Sequence, residues 1–176
     1  CVSFDQQIER AQGAVAIINS RGYIKWQEEA LAWTFHPSEE RARALGVEYV
    51  ALDELLQRAD VVSLHPKLTS ETEGMIGKRE LDLMKPDAIL VNVARGPMVD
   101  EAALVEALHA GRLSGAALDV YAEEPLPADH PLMACKQVVL TPHVADMTPE
   151  GLDLLNQGVV EGTLAFLAGK PQNVVT

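Results

Sequence analysis

From residue 47 onward, short apolar runs alternate with amphipathic stretches, and this alternation restricts the fold more than any other feature of the chain. Strand-length runs separated by helix-length patterns are the signature of a parallel sheet with crossover helices. Strands are predicted over Val47–Val50, Asp60–His65, Ala88–Val93, Ala116–Val120 and Val138–Leu140. Helices are predicted over Ser38–Leu45, Leu52–Arg58, Lys78–Met84 and Glu101–Ala110. Asp100 is placed to cap the last of these, with Glu101 in the first turn where the helix dipole favours an acid and Gly111 as the C-cap. A final helix, about Pro149 to Leu167, carries Leu152, Leu155, Val159, Val160 and Leu164, and Gly169 and Pro171 end it.

The first 33 residues fit this pattern less well. Phe4–Ala11 is predicted helical, and Ala14–Asn19 reads as a strand serving some other sheet. The stretch Gly22–Trp33 has no clear period and runs into Ala32-Trp33-Thr34, the end of a strand whose beginning is missing. There is no internal repeat and no low-complexity linker. A length of 176 residues means one domain, or one domain and a fragment. With 48% hydrophobic and 23% charged residues, most of the chain is globular rather than disordered.

The charge balance narrows the partners. Fourteen basic against twenty-six acidic residues leave a net charge of −12, which repels a phosphate backbone, and no local basic face offsets it; nucleic acid is not an expected partner. No apolar run reaches the ~18 residues a spanning helix needs, so no membrane partner is expected. The two cysteines, Cys1 and Cys135, are too few for a disulfide framework, which points to a cytoplasmic location. The chain shows no signal-peptide pattern and opens on Cys1 rather than Met, so its start reads as processed, trimmed or left out.

In an open parallel sheet, ligands bind beyond the carboxyl ends of the strands, so the residues that follow each strand matter most. Val93-Ala94-Arg95 puts an arginine just past one strand, Asp119 ends the next with Glu124 a few residues on, and His143 follows Leu140-Thr141-Pro142. Singly, Arg95 reads as a surface ion pair, Glu124 as a solvated loop residue and His143 as a turn histidine. Asp119 is harder to dismiss, because a carboxylate in an apolar strand needs a partner. Together, at one edge of one sheet, the four favour a site. Arginine grips a carboxylate through two hydrogen bonds, and histidine, with an ordinary pKa of about 6.5, exchanges a proton near neutrality. A neighbouring carboxylate holds the imidazole in place and favours its charged form. That set suits a 2-hydroxy acid or its 2-keto counterpart. By contrast, His36, His109 and His130 read as surface or loop residues, and Trp26 and Trp33 as packing residues.

Several ordered motifs strengthen this reading: Ala59-Asp60-Val61-Val62-Ser63-Leu64-His65, Met84-Lys85-Pro86, Asn92-Val93-Ala94-Arg95-Gly96-Pro97, Gly115-Ala116-Ala117-Leu118-Asp119-Val120-Tyr121, Glu124-Pro125-Leu126 and Thr141-Pro142-His143. In these, Asp60 to Val175, about two-thirds of the chain, resembles the nucleotide-binding domain of the D-isomer-specific 2-hydroxyacid dehydrogenases. Ala32–Val50 is more loosely similar to that family's second strand and following helix. The resemblance implies an α/β fold, a Rossmann-like parallel sheet with flanking helices, beside a fragment of a second, flavodoxin-like substrate domain. On that reading residues 1–22 are a remnant of the substrate-binding domain, 32–168 an incomplete dinucleotide-binding domain, and 169–176 a tail returning to the substrate domain.

The resemblance also implies roles. Arg95 would bind the substrate carboxylate, His143 would be the acid/base at the C2 oxygen, and Glu124 would pair with His143. Asp119 would hydrogen-bond the nicotinamide carboxamide, with the backbone of Val93 and Ala94 lining the same pocket. Pro66, Arg95, His143, Ala145 and Asp146 would complete the cofactor contacts. The reaction would move a hydride between NAD or NADP and a small 2-hydroxy or 2-keto acid, in an enzyme expected to be a homodimer. The alternatives are a non-catalytic nucleotide-sensing or protein-interaction module on the same scaffold, or an inactive truncated domain.

The sequence departs from the family in four places. No Gly-x-Gly-x-x-Gly occurs, and that loop aims a helix N-terminus at the pyrophosphate. The absence implies either a deleted protein or separated pieces of a longer chain run together, with a junction in 22–33; the second is favoured. Lys67 stands where the family usually has proline, and Ala145 replaces a frequent glycine. Thr34 occupies the position of the acid that takes the ribose hydroxyls, which, with Arg41 and Arg43 nearby, permits NADP. Comparing kcat/KM for NADH and NADPH tests this, and a strong NADH preference would count against it.

Overall fold

The computed structural model describes residues 30–144 and 147–172, together with the backbone of one earlier strand, Val15–Ile18. Its strands are β1 (Val15–Ile18), β2 (Ala30–Trp33), β3 (Val47–Tyr49), β4 (Val61–Leu64), β5 (Ile89–Asn92), β6 (Gly115–Leu118) and β7 (Val138–Leu140). They form one seven-stranded sheet in the order β3-β2-β1-β4-β5-β6-β7. The pairs β2–β3, β4–β5, β5–β6 and β6–β7 are parallel. Each predicted strand from residue 47 on is present, with its ends shifted by no more than two residues.

The β1 position corrects one expectation. Val15–Ile18 does not serve another sheet: it lies at the centre of this one, antiparallel to both β2 and β4. The physical reason is the backbone. Without a strand there, β2 and β4 would each present an unpaired row of N–H and C=O groups in mid-sheet, and four extended residues satisfy both rows. The expected helix Phe4–Ala11 lies outside the described residues.

The helices are α1 (Glu39–Leu45), α2 (Leu52–Arg58), α3 (Lys78–Leu83), α4 (Glu101–His109) and α5 (Pro149–Leu167). Their ends follow from local chemistry. The Ser38 hydroxyl accepts from the Arg41 amide at 3.4 Å, and the Asp100 carboxylate accepts from the Ala103 amide at 3.0 Å. After α4 the chain reverses through Gly111, whose φ of 64° is the left-handed conformation that glycine adopts without strain.

Alternation along β4 and β5 buries Val62, Leu64, Leu90 and Asn92. Leu55 and Leu56 from α2, Leu81 from α3 and Leu104 and Leu108 from α4 join them in one cluster with Leu118 of β6. Residues up to Pro142 form one body and those from His143 another. In the second body Thr148 caps α5 by accepting from the Gly151 amide at 3.0 Å, and no residue of α5 is buried.

The burial is one-sided, which can be checked. Leu90 is fully buried, whereas its neighbour Ile89 is 38% exposed. Leu90→Ala should lower unfolding free energy by about 2–5 kcal/mol and Ile89→Ala by less than half as much, as measured by urea denaturation.

Candidate functional site

Because β4 to β7 run the same way, the residues that follow them emerge at one edge. Leu64, Asn92, Leu118 and Leu140 stand side by side in the ladder, so His65, Val93, Asp119 and Thr141 lead out together. Asn92 is the residue that shapes this edge. It is 1% exposed, its Oδ1 accepts from the Ala94 amide at 3.1 Å, and its Nδ2 donates to the Arg95 carbonyl at 2.9 Å. Its own carbonyl accepts from the Asp119 amide at 3.0 Å. An amide buried without such partners would cost about 1–3 kcal/mol, so the turn and the strand end determine each other.

The turn presents Val93 and Arg95 outward and keeps Ala94 inward. The exposed Arg95 guanidinium donates to the Ala94 carbonyl at 2.6 Å and forms no ion pair with any described residue. One residue on, Gly96 lies against the loop after β6. A Cβ there would sit 1.9 Å from the Tyr121 carbonyl carbon and 2.0 Å from its oxygen, so only glycine allows this approach.

That second loop is tied at several points. Asp119, half-buried, accepts a hydrogen bond from the Thr141 hydroxyl of the neighbouring strand end, the partner its place in an apolar strand called for. The Tyr121 hydroxyl is directed at the Leu118 and Thr141 carbonyls, at 3.0 and 2.7 Å. Burial, with the Asp119 carboxylate adding to it, pushes the Tyr121 phenol up, so it stays protonated and donates. The exposed Glu124 turns back so that its carboxylate accepts from the Tyr121 amide at 3.0 Å. The structure thus brings the Arg95, Asp119 and Glu124 segments to one sheet edge.

His143 begins the second body. It is exposed and has a φ of 54°, a left-handed conformation uncommon for histidine that costs of order 1–3 kcal/mol. Ala145 and Asp146 lie outside the described residues.

At the other end of the edge, the buried Pro66 lines a cavity of about 580 Å³ with Phe35, His36, Lys67 and Thr69. Thr34, 7% exposed, accepts from the His36 amide at 3.3 Å. A neighbouring hollow of about 440 Å³ places Thr34 beside Glu48 and Glu54, both paired with Arg58, so carboxylates do stand there although Thr34 is not one. Arg41 and Arg43 donate to the His36 and Glu39 carbonyls of their own segment. Trp33 packs edge-on against Phe35, the packing role expected of it, and Trp26 lies outside the described residues.

The histidines expected to be surface or loop residues are so placed. His36 and His109 are exposed, and His130 is a half-buried loop residue: its Nδ1 accepts from the Leu132 amide at 3.3 Å and its Nε2 lies 3.3 Å from Glu101. Sequence reasoning passed over Asn92, Tyr121, Glu101 and His130. Asn92 alone carried a usable signal, an amide in an otherwise apolar strand; the others act through contacts between distant segments.

A dinucleotide fits this edge unevenly. The ends of β5 and β6 offer a carboxylate and backbone groups suited to a carboxamide. At the centre, β1 runs the opposite way, since Val15 pairs with Trp33 and Ile18 with Ala30 and Val61. Its carboxyl end therefore lies at the far edge. Among the described residues, none supplies a glycine-rich pyrophosphate cradle at the site edge. Among the described residues no side-chain cluster suits a metal, and no helix is long and apolar enough to cross a membrane.

A six-strand parallel framework with its polar side chains at the carboxyl edge defines a nucleotide-binding α/β domain. Residues 21–145 match the model of the D-isomer specific 2-hydroxyacid dehydrogenase NAD binding domain, and the chain belongs to that family. It is 47% identical over 138 residues to a glyoxylate reductase of Korarchaeum cryptofilum, covering 78% of this chain and 42% of the relative. Identity to a D-3-phosphoglycerate dehydrogenase of Archaeoglobus fulgidus is 48% over 130 residues, covering 74% of this chain and 24% of the relative. A solved Lactobacillus jensenii D-lactate dehydrogenase with NAD+ superposes with a TM-score of 0.74 at 35% identity, over 83% of this chain and 47% of that one. The chain thus spans less than half the length of these relatives.

The Gly96 approach yields a direct test. Gly96→Ala should push the Arg95 and Tyr121 segments apart and lower stability by about 3 kcal/mol, the upper end of what overpacking costs, measured as a drop in denaturation midpoint.

Proposed function

We propose that the chain is the nucleotide-binding part of an oxidoreductase that transfers a hydride between NAD or NADP and a small 2-hydroxy or 2-keto acid. The observation that carries this reading is Arg95. It is an exposed guanidinium without a carboxylate partner among the described residues, on a turn built by a buried asparagine, at the carboxyl edge of a parallel sheet. A planar fork in that state is suited to grip a small carboxylate through two hydrogen bonds and to orient the adjacent keto oxygen.

The nicotinamide, when bound, supplies or takes the hydride. The chain's own residues do the rest. Asp119, already accepting from Thr141, has acceptor capacity left for a carboxamide N–H. His143 gives a proton to the C2 oxygen during reduction and takes it back during oxidation, and Glu124 is assigned to hold that ring and favour its charged form. The strained backbone at His143 supports a functional role for this residue over a plain turn. Glyoxylate and hydroxypyruvate are the first substrates to try, and a homodimer in the cytoplasm is the expected setting.

One observation favours a second reading. The reversed central strand and the missing glycine loop suit a module without turnover on the same scaffold. Reduction of keto acids with NADH or NADPH, followed by absorbance, separates the two. In the active protein, Arg95→Ala should lower kcat/KM about a hundredfold, ~2.7 kcal/mol of transition-state binding. His143→Gly should reduce turnover by a factor of ~10²–10⁴ without lowering thermal stability, because glycine accepts the left-handed backbone. Glyoxylate reduction near wild type in Arg95→Ala would remove the assigned clamp.

A further inference from the structure

Glu101 has no part in the chemistry proposed above, yet both of its oxygens are engaged. It is the first residue of α4, where the helix dipole already favours an acid. Its Oε1 accepts from the Ala122 amide at 2.8 Å, across 21 residues of sequence, and its Oε2 lies 3.3 Å from His130 Nε2. The two side chains are only 14% and 23% exposed. His130 is in turn fixed by its other nitrogen: Nδ1 accepts from the Leu132 amide at 3.3 Å and caps the 3-10 turn Pro131–Ala134. With Nδ1 taken up by the Leu132 amide, the remaining ring nitrogen, Nε2, is the one that faces the Glu101 carboxylate.

The segment so held is the one that carries Glu124. Ala122, Glu123, Glu124 and Pro125 are all exposed, so apolar packing does little to fix their positions. On one side the Tyr121–Ala122 backbone lies against Gly96, next to Arg95. On the other, Ala122 is hydrogen-bonded to Glu101. Just before it, the Tyr121 amide donates to the Glu124 carboxylate.

We infer that Glu101, clasped by His130, is a positioning residue that holds the Tyr121–Pro125 loop against the Arg95 turn and so sets where Glu124 stands. The catalytic importance of that placement rests on the function proposed above; the placement itself does not. The Ala122 N–H, which donates to one oxygen, and His130 Nε2, 3.3 Å from the other, converge on one carboxylate. A glutamine offers a single acceptor oxygen for both, so Glu101→Gln breaks one bond at almost unchanged volume. His130→Asn breaks the clasp differently: asparagine can still cap Leu132 but is too short to reach Glu101.

The test is hydrogen exchange by NMR at the Tyr121 and Ala122 amides, with the pH titration of the Glu124 side-chain carboxyl, in the chain and both variants. Each variant should lose at least about tenfold protection at Tyr121. The Glu124 midpoint should move upward, because a carboxylate that gives up an N–H donor is easier to protonate. Protection at Leu90 and Leu104, in the core and in α4, should stay as in wild type. An unchanged Tyr121 amide and Glu124 titration in both variants would overturn the inference. So would a uniform loss that included Leu90, which would make the pair a general stability element. None of these readouts needs turnover, so a wild-type protein that reduces no keto acid would sink the proposed function and leave this test standing.

Discussion

Parallel pairing of β4 through β7 is the constraint from which the site follows. In a parallel ladder every strand ends at the same edge, so segments far apart in sequence are delivered to one row whatever their loops contain. The ladder alone leaves those loops free to splay. They are held by a small set of polar contacts near the strand ends: the buried Asn92 amide, the Tyr121 hydroxyl, and the Glu101 carboxylate on the exposed Ala122 amide. The first two close donors or acceptors that would otherwise be stranded beside the core, so geometry at the edge is coupled to the stability of the sheet. Arg95 joins this network through its backbone carbonyl, while its guanidinium donates to the Ala94 carbonyl and makes no ion pair with a described residue.

The same reasoning separates what the sequence made legible from what it did not. Period and caps are local, and they located β3 to β7, α1 to α5 and the Asp100 and Gly111 boundaries within two residues. Motif order carried Arg95, Asp119 and Glu124 to one edge because successive parallel strands are neighbours. Contacts that join separate segments were out of reach. Nothing local in Glu101 distinguishes an acid that satisfies a helix dipole from one that also holds Ala122. His130 looked like any loop histidine because its two partners come from a helix 29 positions earlier and from its own 3-10 turn. Gly96 is similar: its role depends on how near Tyr121 comes, a distance no spacing encodes.

The direction of β1 was also illegible, and for a different reason. A run of four strand-forming residues satisfies a vacant position in a sheet equally well in either direction, since hydrogen-bonding capacity is symmetric along an extended backbone. What direction changes is chemistry. A parallel strand has its carboxyl end at the site edge, whereas the carboxyl end of this antiparallel one lies at the opposite edge. The sheet is thus continuous as a hydrogen-bonded object although one of its inner strands runs against the rest.

The two halves of the edge differ in kind. The β5–β6 half is over-determined: Asn92, Gly96, Tyr121, Glu101 and His130 each fix the same two loops from different directions. Preorganisation of that sort costs conformational freedom in two loops whose residues Arg95 and Glu124 are exposed. Among the described residues, the β1–β2 half shows no comparable convergence: Arg41 and Arg43 donate to carbonyls of their own segment, and Glu48 and Glu54 pair with Arg58. Among the described residues, the contacts that tie one strand-end loop to another therefore concentrate around the segments of Arg95 and Glu124.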